Sequence, residues 1–120
     1  MMLFDTSYLL DMLKEKKFEE GSISVITLIE VLRGTKKEKR KVVKELLEES
    51  FNVVGIDNEV VEVYCKLYDE LRKKGTIIPD VDLIIASTAI SKKLRLMTKD
   101  RDFEKLKIVK WVDEGSIRII

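Results

Sequence analysis

The sequence contains no histidine and only one cysteine among its 120 residues. Without histidine, the chain cannot build a serine or cysteine hydrolase triad, a histidine-based ribonuclease site or a metal site made of imidazoles. The single thiol, Cys65, allows neither an internal disulfide nor a thiolate cluster, which is typical of proteins in a reducing cytoplasm. Any catalytic site must therefore be built from other side chains, the carboxylates among them.

Long apolar runs and an excess of one charge are also missing. No apolar stretch approaches the roughly 18 residues that a membrane helix needs, and Asp5 lies where an export signal would be apolar. The 23 basic residues nearly balance the 22 acidic ones, so the net charge of +1 points to neither nucleic acid nor membrane. We therefore expect a cytoplasmic protein without a membrane partner, whose sites depend on local clustering of charge.

The rest of the composition is that of a globular chain. Hydrophobic residues make up 45% of the sequence and charged residues 38%, and a chain of this mass buries roughly two-thirds of its extended surface on folding. One proline and five glycines leave no linker-like stretch, and there is no internal repeat. We predict a single domain spanning residues 1–120.

Short apolar segments alternate with segments of helical periodicity along the chain. Strands are predicted at residues 1–4, 22–25, 51–56, 94–98, 108–112 and 116–120, the last two joined as a hairpin across 113–115. Helices are predicted at residues 6–17, 27–33, 36–49, from Asp57 or Asn58 to Gly75, and from Pro79 to 90, with a helical turn at 101–106. This alternation predicts an α/β fold with a mostly parallel sheet, whose ligands bind beyond the carboxyl ends of the strands.

Acidic residues lie at that predicted edge of the sheet. Asp5 ends the first strand, Asp100 follows the fourth, and Asp80 and Asp82 open an apolar helix. Glu30 lies in an otherwise apolar helix, where a carboxylate is costly to bury without a partner. Two such charges about 5 Å apart repel by roughly 3 kcal/mol at an effective dielectric near 20. Because Mg²⁺ and Mn²⁺ prefer oxygen ligands, the pattern indicates a divalent metal site.

Several acidic residues of this region also have an ordinary structural interpretation, and Glu30 is the hardest to explain in that way. Asp5 could simply end a strand, and Asp80 could cap the helix that follows Pro79. Asp82 could interact with the dipole of that helix, and Asp102 could cap the short helix at its own position. Only their joint placement favours a site over four separate structural roles.

Four segments of the chain resemble the successive motifs of PIN-domain nucleases. They are Phe4–Leu9, which contains Asp-Thr-Ser, then Ser24–Gly34, Pro79–Ala89 and Leu96–Phe103. Their order and the small size of the chain are similar to the VapC toxins of VapBC toxin–antitoxin pairs. The resemblance implies a three-layer α/β/α PIN-like fold with a mostly parallel central sheet.

The resemblance also implies the roles of individual residues. It assigns the catalytic, metal-binding quartet to Asp5, Glu30, Asp82 and Asp100, with Mg²⁺ or Mn²⁺ as the cofactor. Thr6 and Ser7 would support the first carboxylate by hydrogen bonding. Asp80 could share the role of Asp82, and Asp102 competes with Asp100 as the fourth acid.

The activity implied is that of a metal-dependent endoribonuclease acting on tRNA, rRNA or mRNA. Since no histidine is available as acid or base, we expect hydrolysis to 5′-phosphate and 3′-hydroxyl ends. A VapC-like protein would form a homodimer and be neutralised by a small VapB-like antitoxin whose tail enters the catalytic groove. The RNA contacts expected are Arg33, Lys36, Lys37 and Arg40, although such basic runs are often solvated helix faces.

Three other interpretations stay open at this point. Asp57 follows a strand, as the acceptor of a phosphoryl-accepting receiver domain would, although Asp5 lacks the adjacent second acid that a receiver needs. A silent PIN fold could bind RNA without cutting it. A stand-alone PIN-type nuclease for RNA processing would share every residue of the quartet and differ only in its biology.

Overall fold

The computed structural model describes residues 1–120 and contains one sheet of five strands. The strands are β1 Met2–Phe4, β2 Ser22–Ser24, β3 Asn52–Val54, β4 Arg95–Thr98 and β5 Ile117–Ile119. Their order across the sheet is β3-β2-β1-β4-β5, and every neighbouring pair is parallel. The predicted α/β fold with a parallel sheet is confirmed.

Three of the five α-helices follow a residue whose side chain accepts a hydrogen bond from the first turn. The helices are α1 Thr6–Glu15, α2 Val25–Arg33, α3 Arg40–Ser50, α4 Asn58–Lys73 and α5 Asp80–Ser91, with 3₁₀ segments at Lys37–Lys39, Arg101–Ile108 and Glu114–Ser116. The side chains of Asp5, Ser24 and Asp57 cap α1, α2 and α4. Beyond α4 the chain turns at Gly75, whose φ of 65° suits glycine.

Each face of the sheet buries its own apolar cluster. Leu3 and Leu96 point to the face covered by α4, α5 and the 3₁₀ segment Arg101–Ile108. The next residue along each strand, Phe4 and Met97, points to the opposite face, which α1, α2 and α3 cover. This alternation follows from the pleat of a strand, and it produces the three layers that the resemblance implied.

The predicted C-terminal hairpin is wrong. β5 pairs parallel with β4, Leu96 lying opposite Ile117, and residues 109–112 form turns instead of a strand. A parallel neighbour requires the chain to cross back to the amino edge of the sheet, and residues 99–116 make that crossing. Val109 is buried within the core during the crossing, and Asp113 accepts a hydrogen bond from the amide of Gly115 at 3.1 Å to start a 3₁₀ turn.

The other predicted elements are present, with ends that differ by a few residues. The helix predicted at 36–49 is divided into the 3₁₀ segment Lys37–Lys39 and α3, and β3 is shorter than the apolar run at 51–56 suggested. Phe51 belongs to the end of α3, where its amide donates to the carbonyl of Leu47. None of the helices combines the length and the apolar character that crossing a membrane requires.

Gly21 lies just before β2 in close contact with β1. A Cβ at this position would lie 2.6 Å from Cε2 of the fully buried Phe4 and 3.0 Å from the carbonyl oxygen of Met2. Because a close-packed core leaves Phe4 little room to move, we expect Gly21→Ala to lower the free energy of unfolding by about 1–3 kcal/mol in urea denaturation. Gly55→Ala is the matched control, since nothing lies within 4 Å of its Cβ; an equal loss in both variants would contradict the steric explanation.

Candidate active site

Three carboxylates meet at the carboxyl edge of the sheet. One oxygen from each of Asp82, Asp100 and Asp102 lies within 4.8 Å of the other two. Asp82 is in the first turn of α5, and the two other residues follow β4 in the chain. All three are partly buried. Because α5 packs against β4, segments that are distant in the sequence deliver their acidic side chains to one place.

Asp5 is held firmly at the end of β1, the strand next to β4. It is only 3% exposed, and its Oδ1 accepts hydrogen bonds from the amide of Tyr8 at 2.8 Å and the hydroxyl of Ser7 at 2.9 Å. Its Oδ2 accepts a hydrogen bond from the hydroxyl of Thr98. These donors fix the orientation of the carboxylate, and the same side chain caps α1.

Glu30 is supported by a hydroxyl that the sequence analysis had assigned to Asp5. The hydroxyl of Thr6 donates to Oε1 of Glu30 at 2.6 Å and lies 3.2 Å from the hydroxyl of Thr27. The expectation that Thr6 supports Asp5 is therefore wrong, whereas Ser7 does bond to that carboxylate. The reason is the packing of α1 against α2, which turns the first residue of α1 toward Glu30.

Asp5 and Glu30 also interact electrostatically with the cluster formed by Asp82, Asp100 and Asp102. Burial is the main reason why the pKa of Asp82 rises to about 6. Negative charge adds to this rise, and it comes from Asp100, Asp5, Glu30 and Asp102. Burial also raises the pKa of Asp5 by more than its hydrogen bonds to Thr98, Tyr8 and Ser7 lower it, and the negative charge of Asp100 adds a smaller rise. Asp82 thus interacts through space with each of the other three members of the predicted quartet.

The two candidates for the fourth acid lie side by side. Asp100 and Asp102 are both in the cluster, and the amide of Asp102 donates to Oδ1 of Asp100 at 2.9 Å. It is Asp100, not Asp102, that caps the 3₁₀ segment Arg101–Ile108. Asp80 turns away, because its Oδ1 accepts a hydrogen bond from the hydroxyl of Tyr64 at 2.7 Å, and it does not cap α5, whose cap is Pro79.

Little positive charge reaches the cluster from the chain itself. Asp5, Glu30, Asp82 and Asp100 form no ion pair with a lysine or arginine. Lys99 is adjacent in sequence but pairs with Asp11, and the one ion pair made by the three clustered carboxylates joins Asp102 to Lys105 at 3.6 Å. The concentrated negative charge is therefore left for a ligand to balance.

The oxygen cluster fits a hard divalent cation. Mg²⁺ binds oxygens at about 2.0–2.1 Å in an octahedron, which places opposite ligands about 4.2 Å apart. The oxygens of Asp82, Asp100 and Asp102 lie within 4.8 Å of one another, so a small rotation of partly exposed side chains would bring them to that spacing. The donor set contains no nitrogen or sulfur, which is the chemistry that Mg²⁺ and Mn²⁺ favour.

Asp57, the residue that suggested a receiver domain, lies away from this cluster. It caps α4 and forms an ion pair with Lys92 just beyond the far end of α5. Moreover, β3, the strand before it, is at the edge of the sheet, whereas receiver-type folds have the order 2-1-3-4-5, with the third strand beside the first. The strand order overturns the receiver interpretation.

The predicted basic segment divides into two kinds of residue. Arg33, Lys36 and Lys37 are exposed and make no ion pair. The Nε of Arg40 donates to the carbonyls of Leu32 at 2.9 Å and Thr35 at 3.1 Å. Arg40 therefore holds the connection between α2 and α3, and its guanidinium is partly committed to the backbone.

Thr98 is the site residue that the sequence analysis missed. Its side chain is fully buried, donates to Asp5 and accepts a hydrogen bond from the amide of Asp100 at 2.9 Å. It thereby links two members of the cluster across adjacent strands. A polar residue that ends an otherwise apolar strand two positions before an acid is the signal that could have identified it.

Fold and site together define a class of protein: parallel α/β proteins with an all-carboxylate, oxygen-only centre at the carboxyl edge of the sheet. The chain matches the PIN domain over residues 2–109. It therefore belongs to the PIN domain family, as its four motifs indicated.

Within that family the chain is similar to VapC proteins. It is 42% identical over 110 residues to Ribonuclease VapC1 of Methanocaldococcus jannaschii, a match that spans 88% of this chain and 81% of that protein. It is 30% identical over 90 residues to Ribonuclease VapC4 of Mycobacterium tuberculosis, spanning 70% of this chain and 69% of that protein. Among solved structures, DNA-bound VapBC from Salmonella typhimurium matches with a TM-score of 0.79 and 27% identity, covering 100% of this chain and 98% of that chain.

The hydroxyl of Thr98 is expected to contribute to stability as well as to geometry. Thr98→Val would leave Oδ2 of the buried Asp5 with Ser7 as its only donor and would remove the acceptor of the Asp100 amide, so we expect the free energy of unfolding to fall by about 1–3 kcal/mol in urea. Thr88→Val is the matched control, because Thr88 is also buried but its hydroxyl bonds only to the carbonyl of Ile84 within α5. The free energy of unfolding should fall only slightly in this variant. Equal losses in the two variants would contradict the linking role of Thr98.

The pKa of Asp82 predicts an unusual pH dependence of stability in the metal-free protein. The folded protein takes up a proton at Asp82 near pH 6 and the unfolded chain near 3.8, so the folded state loses stability as the pH rises through this interval. Asp82→Asn should remove that loss and raise the free energy of unfolding at pH 7 by about 1 kcal/mol, allowing for partial solvent exposure. Near pH 4 the free energy of unfolding of Asp82→Asn should differ little from that of the natural protein.

The measurement is urea unfolding in EDTA between pH 4 and pH 7. Asp69→Asn, which changes an exposed carboxylate on α4, should keep the slope of the natural protein. Some slope should survive in Asp82→Asn, because burial also raises the pKa of Asp5. An unchanged profile in Asp82→Asn would contradict the raised pKa that burial and the neighbouring carboxylates give to Asp82.

Proposed function

We propose that this protein is a metal-dependent endoribonuclease that acts as the toxin of a VapBC-type pair. The observation that carries the proposal is the convergence of unpaired carboxylates from β1, α2, α5 and the loop after β4 at one edge of the sheet. Support also comes from membership of the PIN domain family and from the 42% identity to a protein named Ribonuclease VapC1.

The residues proposed to hold Mg²⁺ or Mn²⁺ are the quartet together with Asp102. Asp82, Asp100 and Asp102 supply the oxygens that lie closest together, and Asp5 and Glu30 add negative charge beside them. A divalent ion bound there would acidify a water molecule and offset negative charge on the phosphate. The chain itself contributes orientation: Ser7 and Thr98 hold Asp5 in place, and Thr6 holds Glu30.

The chemistry proposed is hydrolysis rather than attack by the 2′-hydroxyl of the RNA. Attack by the 2′-hydroxyl is helped by an acid and a base that act near neutral pH, a task commonly performed by histidine. The sequence has no histidine, so we expect water as the nucleophile. The products would carry 5′-phosphate and 3′-hydroxyl ends, without a 2′,3′-cyclic phosphate.

An acidic centre repels RNA, so cations near it must hold the phosphates. Arg33 follows Glu30 by three residues in α2, which places the two on the same side of the helix. Lys36 and Lys37 continue from there into the connection with α3. We assign phosphate contacts to these three side chains and a structural role to Arg40, whose Nε is bonded to backbone carbonyls.

The partners proposed are an antitoxin and a second copy of the chain. The Salmonella typhimurium structure to which this fold is similar is a DNA-bound VapBC complex, and we extend a VapB-like partner and a homodimer to this protein. Large apolar side chains are exposed on the layer of α1, α2 and α3, as an antitoxin surface requires: Leu10, Ile29, Val42 and Leu46. We expect the protein to act in the cytoplasm, where its RNA substrates lie.

The test is cleavage of a mixed tRNA and rRNA pool by protein freed of antitoxin. With Mg²⁺ or Mn²⁺ we expect discrete fragments with 5′-phosphate ends, and the rate should fall by about a hundredfold or more in EDTA or in Asp5→Asn. Asp69→Asn should keep full activity. Comparing Asp100→Asn with Asp102→Asn shows which of the two acids is required.

Three outcomes would contradict the proposal in different ways. Cyclic phosphate ends would exclude the hydrolytic mechanism, and activity that persists in EDTA would exclude the metal. RNA that is bound but never cut with either ion would favour a silent PIN module.

A further inference from the structure

A cavity separate from the carboxylate cluster lies between the C-terminal half of α4 and the start of α5. Its volume is about 330 Å³. The buried side chains of Leu71, Ile78 and Leu83 line its interior. Tyr68, which is 42% exposed, and Arg72 line it from α4. The cavity thus combines an apolar interior, an aromatic ring and a cation.

The cavity lies next to the carboxylate cluster at the start of α5. Leu83 directly follows Asp82 in α5. One turn earlier in the same helix, Asp80 accepts the hydrogen bond from Tyr64, whose ring is stacked on Tyr68 with centroids 6.2 Å apart and planes 17° from parallel. Because Leu83 lines the cavity and its neighbour Asp82 belongs to the cluster, a flexible strand lying on the cluster could also reach the cavity.

The side chains of this cavity have the chemistry that recognises an unpaired nucleotide. Unstacked bases bind to proteins by stacking on aromatic rings and arginine planes, and each has a polar edge and a neighbouring phosphate. Arg72 forms no hydrogen bond or ion pair through its side chain, so its charge is free to meet a phosphate. A volume of about 330 Å³ is at the small end of ligand pockets and suits one nucleotide, not a duplex.

We propose that this cavity binds one nucleobase of a single-stranded RNA substrate beside the bond that is cut. The base stacks on Tyr68, and Arg72 contacts the adjoining phosphate. A paired base cannot enter, so the cavity restricts the enzyme to unpaired RNA and gives it a base preference next to the cleavage point. The inference rests on the proposed ribonuclease function, and it adds a recognition site that the carboxylates do not supply.

A binding experiment tests the cavity without any cleavage. Short oligo(A) and oligo(U) are titrated into isotope-labelled protein in EDTA, and amide shifts are followed by NMR. We expect shifts at Tyr68 and at residues 75–78, with an affinity at least about fivefold weaker in Tyr68→Ala and in Arg72→Gln. Lys73→Gln makes the same change of charge one residue away, outside the cavity, and should bind as the natural protein does. Absence of shifts at the cavity for both oligonucleotides would overturn the proposal.

A cleavage experiment tests the preference itself on a single-stranded RNA pool of random sequence. Tyr68→Ala should raise KM at least about fivefold with a smaller effect on kcat, and the base preference at one position flanking the cut should relax. Lys73→Gln should leave both unchanged. If the natural protein cuts no RNA, the ribonuclease proposal fails while the NMR result still decides whether the cavity binds nucleotides.

The competing occupant of the cavity is a second copy of the chain. Measuring the self-association of Tyr68→Ala and Arg72→Gln by sedimentation distinguishes a nucleotide site from a dimer interface. Unchanged self-association together with weaker RNA binding supports the nucleotide site. Weaker self-association together with unchanged RNA binding and an unchanged cleavage profile would show that a dimer covers the cavity, and the proposal would be overturned.

Discussion

The hydrogen bond from Thr98 to Asp5 joins the ends of two neighbouring strands, and the arrangement of the carboxylate cluster depends on it. Asp5 starts α1 through its capping bond, and the hydroxyl of Thr98 also receives the amide of Asp100. One buried contact thus sets the direction of the first helix, the end of β4 and the position of two acids. The acids themselves repel, as the raised pKa of Asp82 shows. The surrounding structure therefore holds in place a group of charges that would separate if they were free, a conflict between stability and activity that is common at functional sites.

Much of this arrangement could be predicted because it follows from local patterns. Short apolar runs alternating with helical periodicity specify parallel strands with covering helices, and the ends of parallel strands meet at one edge. An acid after β1, another after β4 and a third in the first turn of α5 are therefore neighbours whatever the details of packing. Glu30 was identifiable for a different reason, since a carboxylate among apolar residues needs a partner, and Thr6 is that partner.

The errors arose where tertiary contacts decide between local alternatives. Residues 108–112 are apolar enough for a strand, but Val109 fills the core beside the sheet and the chain continues across to pair β5 in parallel. The hydroxyl of Thr6 could reach either of two carboxylates, and the packing of α1 on α2 selects Glu30. Arg40 and Lys37 look equivalent in a basic run, yet only Arg40 meets backbone carbonyls. Sequence spacing carries no information on which of two reachable partners a side chain will choose.

The position of β4 in the sheet has a consequence for the protein during its synthesis. Asp5 and Thr98 are 93 residues apart in the chain, and β4 takes its place beside β1 only after all the residues between these two strands have been made. Contacts between such distant segments form late and slowly, because the intervening chain must first be ordered. A ribosome-bound chain that has exposed β1, β2 and β3 holds Asp5 and Glu30 but lacks the acids that complete the cluster. The acidic cluster is thus assembled only after the segment that carries Asp82, Asp100 and Asp102 has been made, so a chain that stops before this segment carries no complete cluster.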